Sequence, residues 1–202
     1  MTARIYICDS SKLEIPKDFS CSDYRIKRAA KAPTTAKQGI AAEFLLYKAV
    51  SSQKPDTAHP LNIHITPYGK PYIADGPEFS LSHSGELACC AVADSPVGVD
   101  IQHIRGYSAS VAERWFSKEE REYIDASSDR DSAFTLLWTA RESYVKAAGG
   151  GIGRDMGKVN IHIAEETLSV PGASLYLYQQ GNAWLSCCVI CESRVDFTVN
   201  MV

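Results

Sequence analysis

The stretch LACCAVADSPVGVDIQH, residues 87–103, decides the fold of this 202-residue chain. LACCAVA is apolar at every position, which marks a strand buried on both faces. Asp94-Ser95-Pro96 is a turn signal. VGVDIQH then alternates as a second strand, expected to be the partner of the first. Side chains alternate across a strand, so Asp100 and Gln102 share one face while Val99 and Ile101 share the other. A second apolar run, LSCCVIC at residues 185–191, echoes LACCAVA at residues 87–93. Each is followed by another β-like run, a pattern that fits two similar α/β halves.

Moving towards the N-terminus, residues 79–82 read as a short strand inside YGKPYIADGPEFSLSHSG, whose Gly, Pro and Ser content otherwise predicts loops. LNIHITP, residues 61–67, alternates as a strand. GIAAEFLLYKAV, residues 39–50, is helical, with Thr35 placed to cap it. Residues 23–32 form a basic helix with Arg25 and Arg28 on one face, ended by Pro33. Residues 4–8 read as a strand. Towards the C-terminus, two helical segments are expected, SASVAERWF with SKEEREYIDAS at residues 108–127 and then residues 132–148, the last stopped by Gly149, Gly150 and Gly151. Strands follow near residues 158–164, 173–180, 183–191 and 194–199.

Composition excludes several classes. Hydrophobic residues make up 45% and charged residues 22%, ordinary for a globular protein. The formal net charge of −3 is not that of a nucleic-acid binder. No run approaches the roughly 20 apolar residues of a membrane span, and MTARIYICDS is not a secretory signal. With seven Cys, a cytoplasmic protein with free thiols is expected. Cys188 and Cys191 have C-x-x-C spacing, but their apolar surroundings and the lack of a second pair read as core packing.

Four places carry chemistry. Asp100 ends a buried apolar run and needs a partner, either a cation or a backbone amide. Trp138, Glu142 and Lys146 lie on one helical stripe. That is either an ordinary exposed Glu–Lys pair or a carboxylate for metal beside an ammonium for phosphate. FSLSHSG brings Ser82, His83 and Ser84 together, as a plain turn or as a phosphate site. YGKPYI puts Lys70 on a stiff turn beside Tyr68.

In this order, with these spacings and with FSKEE at residues 116–120, the pieces resemble the 4′-phosphopantetheinyl transferase superfamily, in its longer, surfactin-synthetase-associated form. The resemblance runs from about Tyr68 to Lys146. Two positions depart from the family pattern: Arg141 stands where a Lys is usual, and Gln102 where a Glu is frequent. The charge survives at Arg141 with different geometry. Gln102 offers a carbonyl oxygen but no charge.

The resemblance implies an α/β fold of two pseudo-symmetric halves, residues 1–104 and 105–202. Each would be a small, mostly antiparallel sheet packed with helices, with the active site in the cleft between. It implies transfer of 4′-phosphopantetheine from coenzyme A to a serine of an acyl-, peptidyl- or aryl-carrier protein, in a monomer without nucleic-acid or membrane partners. Asp100, Gln102 and Glu142 would hold Mg2+, for which Mn2+ is a fit substitute. Lys146 would contact the pyrophosphate. Glu142 would take the serine proton, with Glu120 second. Tyr68, Gly69, Lys70 and Pro71 would line the adenine, and Ser82 and His83 would reach phosphates. Arg28, chosen for its basic helix, and Lys70 are candidates for the 3′-phosphate. The carrier is expected near residues 105–121, where Trp115 and Phe116 are equally readable as core. Two competing readings are a coenzyme A-binding protein of the same fold with weak or no transfer, and a hydrolase using Ser82 or Ser84 with His83. Against the latter, neighbouring residues point apart.

Overall fold

The computed structural model describes residues 1–164 and 167–202. Strands β1 (Thr2–Asp9), β2 (Ile63–Ile65), β3 (Pro71–Ile73), β4 (Glu78–Ser84), β5 (Leu87–Ala93) and β6 (Val97–His103) precede β7 (His162–Ala164), β8 (Thr167–Ser169), β9 (Ala173–Gln180), β10 (Ala183–Ile190) and β11 (Asp196–Met201). Helices are α1 (Asp23–Lys31), α2 (Ala36–Ser51), α3 (Ala109–Trp115), α4 (Lys118–Ala126), α5 (Arg130–Ala148) and the short α6 (Ile152–Asp155). None of the described helices is long and apolar enough to cross a membrane.

Two sheets carry the core. One runs in the order β11-β1-β5-β4 and the other β6-β10-β9. All their pairings are antiparallel except β1 with β11. The period-2 alternation of each strand builds three layers of apolar packing. Ala3, Ile5 and Ile7 of β1 meet Cys89 and Ala91 of β5, Val97, Val99 and Ile101 of β6, and Leu185 and Cys187 of β10 between the sheets. The other face of the first sheet, with Cys90 and Val92, packs on Ala42, Leu45 and Leu46 of α2. The other face of the second sheet lies under α5, whose Phe134 and Leu137 pack with Phe116, just after α3, and Ile124 of α4. The mixed α/β class with small, mostly antiparallel sheets is therefore the observed one. β5 and β10, the strands that echo each other in sequence, are each the middle of their own group of neighbours.

The expected hairpin between β5 and β6 does not form. β6 leaves for the second sheet and pairs with β10, Asp100 opposite Ser186. β5 is apolar on both faces and β6 is buried from Val97 to Ile101, and such strands are satisfied as well by stacking across a core as by lying side by side. Pro96 has no N–H to extend a ladder, and its carbonyl accepts from Ile190 N at 2.9 Å. The first and last strands also cross the expected division at residue 104, because β11 pairs with β1.

Where the sheets meet, β4 runs beside β6 without a backbone ladder. Ser82 Oγ accepts from Ile101 N at 3.4 Å, and Ser84 Oγ accepts from His103 N at 3.0 Å. The two contacts advance together along both strands, so the strands run parallel. The strand expected at residues 79–82 extends through His83 and Ser84, which composition placed in a loop, and two hydroxyls stand in for strand carbonyls towards β6. Thr35 occupies the cap position of α2 but makes no side-chain cap hydrogen bond there. Its hydroxyl donates instead to Ala32 O at 3.4 Å.

Candidate active site

The seam between β4 and β6 is covered by α5, which approaches so closely that a Cβ on Gly98 would stand 1.9 Å from Ser143 O. Glycine at that position permits the contact. It brings Lys146 over the strand. The ammonium donates to Asp100 Oδ1 at 2.6 Å, to Val99 O at 3.1 Å and to Ser82 Oγ at 3.2 Å. Glu142 Oε2 lies 3.7 Å from the same nitrogen. Asp100 is 1% exposed, and Ser82 donates to its Oδ1 at 2.7 Å.

These contacts fix the electrostatics. Burial, then the charge of Asp100, pushes the Glu142 carboxyl up to about 7, against the pull of Lys146 and Arg105. Burial works against the Lys146 ammonium, but Asp100 and Glu142 outweigh it and hold its pKa above the ordinary lysine value. Two carboxylates thus share one ammonium in a largely buried site. Asp100 Oδ2 is buried with no hydrogen-bond partner. An orphaned carboxylate oxygen beside a second carboxylate fits a hard divalent cation. Gln102 follows Asp100 on the same face of β6 and is half-buried, which adds a neutral oxygen. No group of three or more His, Cys, Asp or Glu side chains at metal-binding spacing occurs among the described residues. The donor set therefore rests on two carboxylates and an amide.

A cleft of about 300 Å3 opens beside this cluster. Tyr68, Gly69, Lys70 and Pro71 form one wall, Tyr24 and Arg28 another, and Val145 and Lys146 of α5 the third. Gly69 has φ 90°, a backbone conformation that glycine enters without a Cβ penalty. Lys70 is already engaged: its Nζ lies 2.9 Å from Glu78 Oε2 and 3.2 Å from Ala147 O, near the negative end of α5. Tyr68 is exposed at the mouth, with the Arg154 guanidinium 4.8 Å from its ring centre.

His83 points to the opposite face of β4 from Ser82, into a small cup shared with Arg25, Arg28, Thr35 and Ala36 at the start of α2. Burial, then Arg25, Lys146 and Arg28, lowers its pKa against the opposing charge of Asp100. The Arg25 side chain is 7% exposed and its Nε lies 3.4 Å from Glu43, which also accepts from Ser22 N and Ser22 Oγ. Gly39 leaves room for this guanidinium, since a Cβ there would meet Nη1 at 2.5 Å. A cationic cup at a helix N-terminus without a side-chain cap suits a phosphate. Sequence reasoning placed Arg25 on a basic face but gave it no role; Glu43 and Gly39 on the next helix were the missing signal.

The structure gathers Asp100, Gln102, Glu142, Lys146, Ser82 and the 68–71 loop around one region, with Arg28 and His83 at its other end. It does not bring Glu120 there. The Glu120 carboxylate is fully buried, paired with Arg141 and accepting from Ser117 N at 2.6 Å in a capping box. Arg141 also donates to Met156 O and Val159 O at 2.9 and 3.0 Å. The Arg141 departure therefore lies in the core beside Phe116, one residue but about 100° of helix away from Glu142. Phe116 is core, and Trp115 is half-buried against the same cluster. Ser82 and His83 face opposite ways and share no hydrogen bond, so they form no hydrolase pair. Cys188 is buried, its thiol pushed up to about 12 by burial and then by Cys191.

Residues 96–197 match the family model described as the 4′-phosphopantetheinyl transferase superfamily. Over 89 residues the chain is 42% identical to the 4′-phosphopantetheinyl transferase gsp of Aneurinibacillus migulanus, covering 42% of this chain and 37% of that one. It is 30% identical over 137 residues to the 4′-phosphopantetheinyl transferase Sfp of Bacillus subtilis (strain 168), covering 65% and 60%. In each case the chain spans less than two thirds of the relative's own length. A solved structure of Thermotoga maritima holo-[acyl-carrier-protein] synthase aligns with TM-score 0.43 at 16% identity, covering 50% of this chain and 65% of that one.

Proposed function

Because the chain belongs to the 4′-phosphopantetheinyl transferase superfamily, we propose that it transfers 4′-phosphopantetheine from coenzyme A to a serine of an acyl-, peptidyl- or aryl-carrier protein. The observation that carries this reading is the buried Asp100–Lys146–Glu142 cluster at the edge of a cleft walled by the 68–71 loop and Arg28. The cleft supplies one apolar and aromatic end for a nucleobase and one charged end for phosphates. Arg25, Arg28 and His83 form a separate cationic cup that suits the 3′-phosphate.

Asp100 and Glu142 are the residues that would hold Mg2+ or Mn2+, with the Gln102 carbonyl as a third donor. Such a cation supplies charge neutralisation to pyrophosphate oxygens. The carrier serine Oγ bonds to the phosphorus that bears pantetheine. The bond from that phosphorus to the bridging oxygen breaks, and its electron pair leaves with adenosine 3′,5′-bisphosphate. Glu142 takes the serine proton as the carboxylate beside the cluster. Lys146 adds positive charge beside the pyrophosphate. Arg105 lies over the Trp138 ring at 5.0 Å and near Glu142, at the rim from which an acidic carrier would approach. One chain carries every wall of the cleft, which supports a monomer, and seven free thiols support a cytoplasmic setting.

Intact-mass spectrometry of an apo-carrier protein incubated with the protein, coenzyme A and Mg2+ tests the reading. A gain of one phosphopantetheine mass, lost in EDTA, is expected. D100A and E142A should each lower the rate at least 100-fold, and Q102E should keep or raise it. Full activity in D100A removes the proposed metal site. No mass gain with any carrier class, while coenzyme A still binds, leaves only a binding protein.

A further inference from the structure

Ser82 was expected to reach a phosphate, but its hydroxyl has nothing left to offer one. A serine hydroxyl carries one donor and two acceptor lone pairs. Here the proton goes to Asp100 Oδ1 at 2.7 Å, and the lone pairs take Lys146 Nζ at 3.2 Å and Ile101 N at 3.4 Å. The residue is 8% exposed. All three partners belong to the second sheet or to α5, while Ser82 belongs to the first sheet.

We propose that Ser82 is a positioning residue for the Asp100 carboxylate. Its hydroxyl and the Lys146 ammonium both occupy Oδ1, so the carboxylate cannot rotate without breaking two charge-assisted hydrogen bonds. Oδ2 is left as the one unpartnered oxygen. Ser82 thereby decides which carboxylate oxygen is presented to a cation, and it joins that choice to the β4–β6 seam. Ser84 repeats the seam contact two residues on, at His103 N, without touching a carboxylate. It acts as an internal control for stitching alone. The inference rests on the metal reading of Asp100 and Glu142 given above.

Binding of Mn2+ in the presence of saturating coenzyme A, followed by electron paramagnetic resonance, tests it alongside calorimetry of coenzyme A in EDTA. S82A should weaken Mn2+ by about 10- to 100-fold, the usual cost of losing a partner behind a metal ligand, and leave metal-free coenzyme A affinity within about twofold. S82T keeps the hydroxyl and should restore most of the Mn2+ affinity. S82C keeps the volume with only a weak donor; it should fall with S82A and replaces it where S82A does not fold. S84A should leave Mn2+ affinity within about twofold. Wild-type Mn2+ affinity in both S82A and S82C overturns the inference alone. Loss of metal-free coenzyme A affinity with unchanged Mn2+ binding makes Ser82 a phosphate contact after all. Absence of Mn2+ binding by the wild-type protein overturns the metal reading, and this inference with it.

Discussion

Asp100 and Glu142 are two carboxylates served by one ammonium, and the imbalance has a thermodynamic consequence. The Glu142 carboxyl rises from its ordinary 4.5 to about 7 in the folded protein, by burial and then by Asp100. The folded state therefore holds the proton more tightly than the unfolded chain does. The cost of the charged form is fully felt above about pH 7 and fades as the pH falls towards 4.5. E142Q should raise stability in EDTA at pH 8 by about 1–3 kcal/mol, or roughly 2–4 °C per kcal/mol for a chain of this size. The gain should vanish near pH 5. Thermal melts at the two pH values check this; an equal shift at both would mean that the gain does not come from the charge. At this scale the sequence was readable for Asp100, Glu142 and Lys146, because strand and helix periods put them on known faces. It did not show what engages Glu120 and Ser82. Arg141 pairs with one Glu120 oxygen, and Asp100, Lys146 and Ile101 engage the Ser82 hydroxyl, and these partners are distant in sequence.

Helix α5 and strand β6 meet backbone to backbone at Gly98, where an added Cβ would lie 2.4 Å from Ala147 N and 2.9 Å from Lys146 Cβ. G98A should push the helix off the strand and move Lys146 and Glu142 together. A loss of about 1–3 kcal/mol is expected from overpacking. Transfer should drop by about 10- to 100-fold, the scale expected for misplacing reactive groups by an ångström. Denaturant unfolding and the carrier assay read the two effects; unchanged activity in a destabilised G98A would mean that the helix position does not set the site. The elements themselves were largely legible. The apolar run of β10 and the glycine stop of α5 at Gly149 belong to local sequence. The S-H-S run was legible as a strand only up to Ser82, because polar residues before a glycine read as a turn, whereas pairing with Leu87–Cys89 of β5 carries the strand on to Ser84.

Across the whole molecule, strand pairing joins residues far apart in the chain. β6 finds its ladder partner β10 about 85 residues later, and β1 takes β11 from the far end of the chain. On the opposite side from the seam, Tyr176 and Phe197 stack at 5.2 Å between ring centres and tie the two sheets again. A fragment of residues 1–104 would leave β6 unpaired and expose the inner faces of Val97, Val99 and Ile101. It should not unfold cooperatively or give a dispersed amide NMR spectrum. A well-dispersed spectrum would show that the first half folds alone.

The sequence by itself determined the class of the fold, the faces of β6 and α5 on which Asp100, Glu142 and Lys146 stand, and the family resemblance, because all of these depend on local periodicity and short spacings. Only the tertiary structure decided which strands pair, which hydroxyl serves a carboxylate and which glutamate is locked to an arginine. A strand that is apolar on both faces carries no mark of its neighbour, and a polar side chain carries no mark of the partner that will satisfy it.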